Sequence, residues 1–140
     1  VVWRMMMHFY SDNNSAISRA VWKHLPYPNI DWGEDQVWAW EMLKAGFEKV
    51  YVDNATVYHS HDFPLSKTYQ FAFTEGQFFR KTFGYDLSGG ASVEDMVRGL
   101  NHRDADYALK MGVSHKDLEV QKKKTQMIVQ GRADGAKAGI

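Results

Sequence analysis

Two adjacent acids, Glu34 and Asp35, follow Trp32-Gly33 at the head of a stretch with helical spacing. At a helix start the unpaired N–H groups and the dipole favour negative charge, so both carboxylates are expected to be ionised at neutral pH. An ionised carboxylate can take a proton from a bound hydroxyl, which is the work of a general base. It can equally do no more than cap the helix, and acids are common in first turns for that reason alone. Helical geometry separates the two acids. Asp35 is in line with Trp38, Ala39 and Met42, whereas Glu34 is in line with Val37, Trp38 and Glu41. Asp35 therefore heads the more apolar face and is the better candidate base. Trp32 and Trp38 flank the pair, and an indole beside carboxylates offers a surface on which the C–H face of a sugar ring stacks. Trp38, at helical spacing, reads as core just as readily.

A second group is Tyr58-His59-Ser60-His61-Asp62. In an extended chain His59 and His61 fall on one face, close enough to share a metal or a phosphate, and the neighbouring Asp could complete part of a divalent-metal site. H-x-H also occurs as ordinary hydrogen-bonded surface histidine. Asp104-Ala105-Asp106 has a D-x-D spacing but sits inside a helical pattern rather than after a strand, which removes it as a metal site. Lys122-Lys123-Lys124 reads first as a solvated helix face and second as contact with an anionic membrane. There is no glycine-rich phosphate loop.

The elements that must position these residues read as a mixed α/β first part and a helical tail. Strands are expected over 5–10, 15–17, 50–52 and 55–59, with turn chemistry at Ser11-Asp12-Asn13-Asn14. Helices are expected over 19–25, where Pro26 stops the pattern, and over 34–45, closed by Gly46. A longer one over 66–83 places Tyr69, Ala72, Phe73, Gly76, Phe79 and Phe83 near one stripe. Ser92 and Ser114, each with an acid three residues on, begin two more. Gly131, Gly135 and Gly139 recur every four residues; the Arg, Asp and Lys between them favour a frayed or close-packed soluble helix over a membrane pair. Composition shifts at the Gly- and Ser-containing segment 84–92, which divides the chain into 1–85 and 86–140.

With 140 residues there is material for one domain. A chain that is 44% hydrophobic and 14% aromatic is too apolar for a disordered segment. Seventeen basic against seventeen acidic side chains leave no global field to gather nucleic acid. The absence of cysteine excludes a disulfide framework, a thiolate metal site and a Cys nucleophile.

The order of these pieces resembles the C-terminal half of inverting glycosyltransferases of family 2, in the rhamnosyltransferase-like group. It is carried by Phe9-Tyr10-Ser11-Asp12-Asn13-Asn14-Ser15-Ala16-Ile17-Ser18-Arg19, Val21-Trp22, Gly33-Glu34-Asp35-Gln36, Ala45-Gly46-Phe47, Val57-Tyr58-His59-Ser60-His61-Asp62 and Phe73-Thr74-Glu75-Gly76. The resemblance implies a GT-A (Rossmann-like) α/β fold for 1–85 and a helical extension for 86–140. It implies a hexosyltransferase that moves a sugar from a nucleotide-sugar donor to a glycan or lipid-linked glycan acceptor. Asp35 would be its base, Glu34 an acceptor contact, and Asn14 and Ser15 cleft residues. His59 would ligate a divalent Mn or Mg, with His61 beside it. Such enzymes work in the cytoplasm, and the tail would allow peripheral contact with the inner face of the membrane. The donor-binding strands and metal-binding D-x-D of the family have no counterpart in these residues, so the expectation is part of a longer enzyme, inactive by itself. A non-catalytic carbohydrate-binding module and a helical interaction domain over 66–130 are the competing expectations.

Overall fold

The computed structural model describes residues 9–59 and 63–140, and these fall into two compact units that divide at residues 61/62. In the first, a 3-10 turn at Asp12–Asn14 precedes two helices, α1 (Arg19–His24) and α2 (Glu34–Lys44). Gly33, left-handed at φ 73°, swings the chain into α2. Trp38, Ala39 and Met42 lie one helical step apart on the face that α2 buries. Around them pack Tyr10, Ile17, Val21, Leu25, Tyr27, Leu43 and Phe47. The Trp38 indole N–H donates to the Leu25 carbonyl at 2.7 Å, which ties α2 to the end of α1.

The second unit holds α3 (Leu65–Phe83), α4 (Val93–Met111) and α5 (His115–Ala138). Both expected capping serines are in use. The Ser92 hydroxyl accepts the Asp95 N–H at 3.0 Å and the Ser114 hydroxyl accepts that of Asp117 at 3.1 Å. Gly84 and Gly112, both left-handed, close α3 and α4. The glycine stripe on α5 lies against α3. A Cβ added to Gly131 would come within 2.7 Å of the Tyr69 carbonyl oxygen, and one on Gly139 within 3.0 Å of that of Gln77. Residue numbers rise together along this contact, so α3 and α5 run parallel, with α4 packed on α5 as the return. Gly76 reciprocates from α3, where an added Cβ would meet the backbone of Arg132. The stripe is thus a close-packed helix contact. Beside it the Arg132 guanidinium grips the Glu75 carboxylate at 2.5 and 3.1 Å. Tyr69 donates to Asp134 at 2.9 Å.

The fold is helical, which corrects the expected GT-A, Rossmann-like α/β architecture. Among the described residues there is no strand, and the regular structure is helical. Residues 15–17, 50–52 and 55–59 are irregular, and 5–8 lie outside the described residues. Alternating apolar residues make a strand only when a partner ladder satisfies their backbone groups and a layer covers one face. Here Val50, Tyr51 and Tyr58 are 78%, 84% and 109% exposed, with neither provided. The two units also part at 61/62 rather than at the composition shift of 84–92, because the apolar stripe of α3 is buried against α5.

Candidate functional site

Asp35 occupies the first turn of α2, next to a helix cap that has no side-chain acceptor of its own. Its Oδ1 accepts the Gln36 backbone N–H at 2.7 Å, supplying one of the bonds that a helix start leaves open. The carboxyl is half-buried, and burial is the largest influence on it, pushing its pKa upward. The Gln36 N–H opposes that rise, while the negative charges of Asp12 and Glu34 add to it. The helix start therefore favours the charge that burial disfavours, and burial prevails. The result is a carboxylate with a higher proton affinity than a free one, which suits proton abstraction.

The surroundings are built by the segment before α1. Gln36, 7% exposed, donates through Nε2 to the Tyr10 carbonyl and pins that segment beside the start of α2. This brings Asp12, on the 3-10 turn, within electrostatic reach of Asp35. Tyr27 joins the group. Its phenol is driven far above the usual range, first by burial, then by its hydrogen bond with Tyr10, then by the charges of Tyr10, Asp12 and Asp35. It remains a neutral hydroxyl. Tyr10 in turn bonds Ser15 at 2.6 Å between hydroxyls. The assembly is a half-buried carboxylate with two further acids and the hydroxyls of Tyr10 and Tyr27 around it, able to accept a proton and to hydrogen-bond a polyhydroxyl ligand.

The sequence-predicted residues divide among several environments. Glu34 and Asp35 are adjacent and half-buried, and Ser15 is linked to their neighbourhood through Tyr10. Asn14 is employed structurally, its Nδ2 donating to the Ala55 carbonyl at 2.6 Å. Trp32 is half-buried in the loop before α2. Trp38 needs correction as a sugar platform. It is 3% exposed, and the rings of Tyr10 and Tyr27 stand 5.4 and 5.3 Å from its own, so it is core. Asp12, Tyr10 and Tyr27 were not singled out by spacing. The one signal for Asp12 is the Ser-Asp-Asn-Asn turn, which fixes a short acid at a bend but does not say what the bend faces.

His59 is exposed, and His61 and Asp62 lie outside the described residues. Among the described residues no three His, Asp or Glu side chains converge as a metal shell.

No protein-family model, curated protein or solved structure matches the chain. The resemblance to family 2 glycosyltransferases rests on the quoted residues alone.

Proposed function

We propose that Asp35 is the acceptor-side base of an inverting, nucleotide-sugar-dependent hexosyltransferase that builds cell-surface polysaccharide. The observation that carries this reading is the half-buried Asp35 carboxyl at the start of α2, its proton affinity raised by burial and by Asp12 and Glu34. In the reaction, Asp35 takes the proton of an acceptor hydroxyl as that oxygen bonds to the anomeric carbon. The bond from that carbon to the nucleoside diphosphate breaks, and the diphosphate leaves with the electron pair. Attack from the face opposite the leaving group inverts the centre. In this reading Glu34 and the hydroxyl of Tyr27 or Ser15 hold neighbouring acceptor hydroxyls, and Trp32 stacks against the ring. Donor binding, in this proposal, falls to residues outside these 140, and the enzyme works in the cytoplasm on a glycan or lipid-linked glycan.

The burial of Trp38 takes one of two stacking surfaces from the carbohydrate-binding-module reading. The deciding experiment compares Asp35→Asn with wild type in the full-length gene product, using nucleotide sugars and oligosaccharide acceptors. Loss of a general base is expected to lower turnover about 10²-fold or more. Unchanged turnover would remove Asp35 from the chemistry.

A further inference from the structure

Among the described residues no helix is long and apolar enough to cross a membrane, and what α4 and α5 carry instead is one stripe each, packed toward the other. Met96, Leu100 and Asp104 follow at four-residue steps on α4, and Gln121, Thr125 and Val129 do the same on α5. The stripes do not close on each other completely. Between them and Leu87, in the segment after α3, lies a cavity of about 210 Å³. A dry cavity of about 150 Å³ is enough to hold benzene. Leu100, Ile128 and Val129 give this one apolar walls. Its polar atoms come from Thr125, which is 5% exposed, and from Asp104, whose side chain is 19% exposed. Asp104 is short of donors. The Gln121 amide nitrogen stands 3.3 Å and the Thr125 hydroxyl 3.5 Å from its Oδ2, and Arg103 Nη2 stands 3.7 Å from its Oδ1. Each of these contacts is longer than the roughly 3.2 Å at which an N–H or O–H donor bonds well. A carboxylate held largely out of water on such contacts retains capacity for a stronger donor.

We propose that this cavity binds a small organic cation, an ammonium group on a compact apolar body. The ammonium donates to Asp104 and to the Thr125 hydroxyl, and the body lies against Leu100, Ile128 and Val129. The lining selects this class over the others. Among the described residues Asp104 is the one acid on the cavity wall, since Asp106 is 60% exposed and faces His102 at 3.7 Å. A divalent metal would therefore lack the several oxygen ligands it needs. An anion would meet Asp104 while finding the guanidiniums occupied elsewhere, because Arg132 holds Glu75 at 2.5 and 3.1 Å and the Arg103 side chain is 73% exposed to water. A neutral apolar molecule would desolvate the carboxylate further and give it no partner. An ammonium satisfies it with a charge-assisted bond in a place where little water competes. The inference goes beyond the sugar-transfer reading and does not depend on Asp35.

The test is an amide-resolved NMR titration of the full chain with benzylammonium, and with benzyl alcohol as the neutral molecule of the same shape. Benzylammonium is expected to bind saturably with a Kd of about 1 mM and to shift the amides of Leu100, Thr125 and Ile128. Benzyl alcohol should bind about tenfold or more weakly, because it lacks the charge-assisted bond. Asp104→Asn should erase that preference while helix content by circular dichroism stays unchanged. Leu100→Phe, which fills the cavity, should weaken both molecules alike. The proposal is overturned if benzylammonium does not bind saturably, if the shifted amides lie away from the cavity, or if the alcohol binds as well as the ammonium. It is also overturned if Asp104→Asn keeps the preference, or if Leu100→Phe with its helix content retained binds as wild type does.

Discussion

Replacing a glycine by alanine within a helix should have opposite signs at two positions of the second unit. In a helix interior the change gains about 1 kcal/mol, because alanine has less backbone freedom to lose. Gly99 on α4 is exposed, and an added Cβ meets nothing within 4 Å. Gly99→Ala should therefore stabilise by that full amount, about 1 kcal/mol. Gly135 on α5 is buried, and its Cβ would overlap the Phe73 carbonyl oxygen while coming within 2.9 Å of the Gln77 nitrogen. Both obstacles are backbone, so no rotamer change relieves them and α3 must move away. Overpacking costs about 1–3 kcal/mol, and backbone obstruction argues for the upper end. After subtracting the propensity gain, Gly135→Ala should lose about 2 kcal/mol.

Urea unfolding followed by far-ultraviolet circular dichroism reads this directly, because α3, α4 and α5 hold most of the helix in the described residues. All five tryptophans precede residue 62, so indole fluorescence reports the other unit. With a denaturant slope of about 2 kcal/mol/M, the Gly99→Ala midpoint should rise by about 0.5 M and the Gly135→Ala midpoint fall by about 1 M. A Gly135→Ala midpoint at or above wild type would refute the close parallel packing of α3 and α5.

Asp35→Asn should leave the fold at least as stable at neutral pH. The native carboxyl keeps its proton to higher pH than the unfolded one, so folding binds a proton between the two pKa values and stability falls as pH rises through that window. Asparagine abolishes this slope and can still accept the Gln36 N–H, so a pH series of thermal melts should show the wild-type slope and its loss in the variant. For Glu75 and Arg132, a double-mutant cycle with Glu75→Gln and Arg132→Met should give a coupling of about 1 kcal/mol. The bidentate geometry strengthens the pair, and the 40% exposure of Arg132 weakens it through solvent screening. Additive single effects would show that the pair contributes nothing specific.

Helices were legible because their signals are local. Ser92 with Asp95, Ser114 with Asp117, and Gly46 each mark an end through a bond or dihedral formed within a few residues, and all three adopt the expected roles. The α2 face carrying Trp38, Ala39 and Met42 was legible from periodicity alone. Residues 50–59 were not, because a strand is a property of two segments and nothing in Val50-Tyr51-Val52 names a partner. Trp38 failed as a sugar platform for a related reason. Spacing placed it on the apolar face, but only the tertiary approach of Tyr10 and Tyr27 decided that the face is covered.

Asp35 joins a local rule to a tertiary one. A carboxylate whose only task is to cap a helix works best in water, where the first-turn N–H groups favour its charge without opposition. Here the Gln36 side chain holds Tyr10 down and brings the Asp12 turn close, so the same carboxyl is half-desolvated and faces a second negative charge. Both effects work against the cap and favour the proton. Tyr27 reinforces this from the other side, since burial and the nearby acids keep its phenol neutral and able to donate. A group held at raised proton affinity beside a fixed hydroxyl donor is arranged to exchange a proton with a bound hydroxyl. That arrangement arises from residues 10, 12 and 27, which share no periodicity with Asp35, and it is what the proposed role of Asp35 as a base rests on.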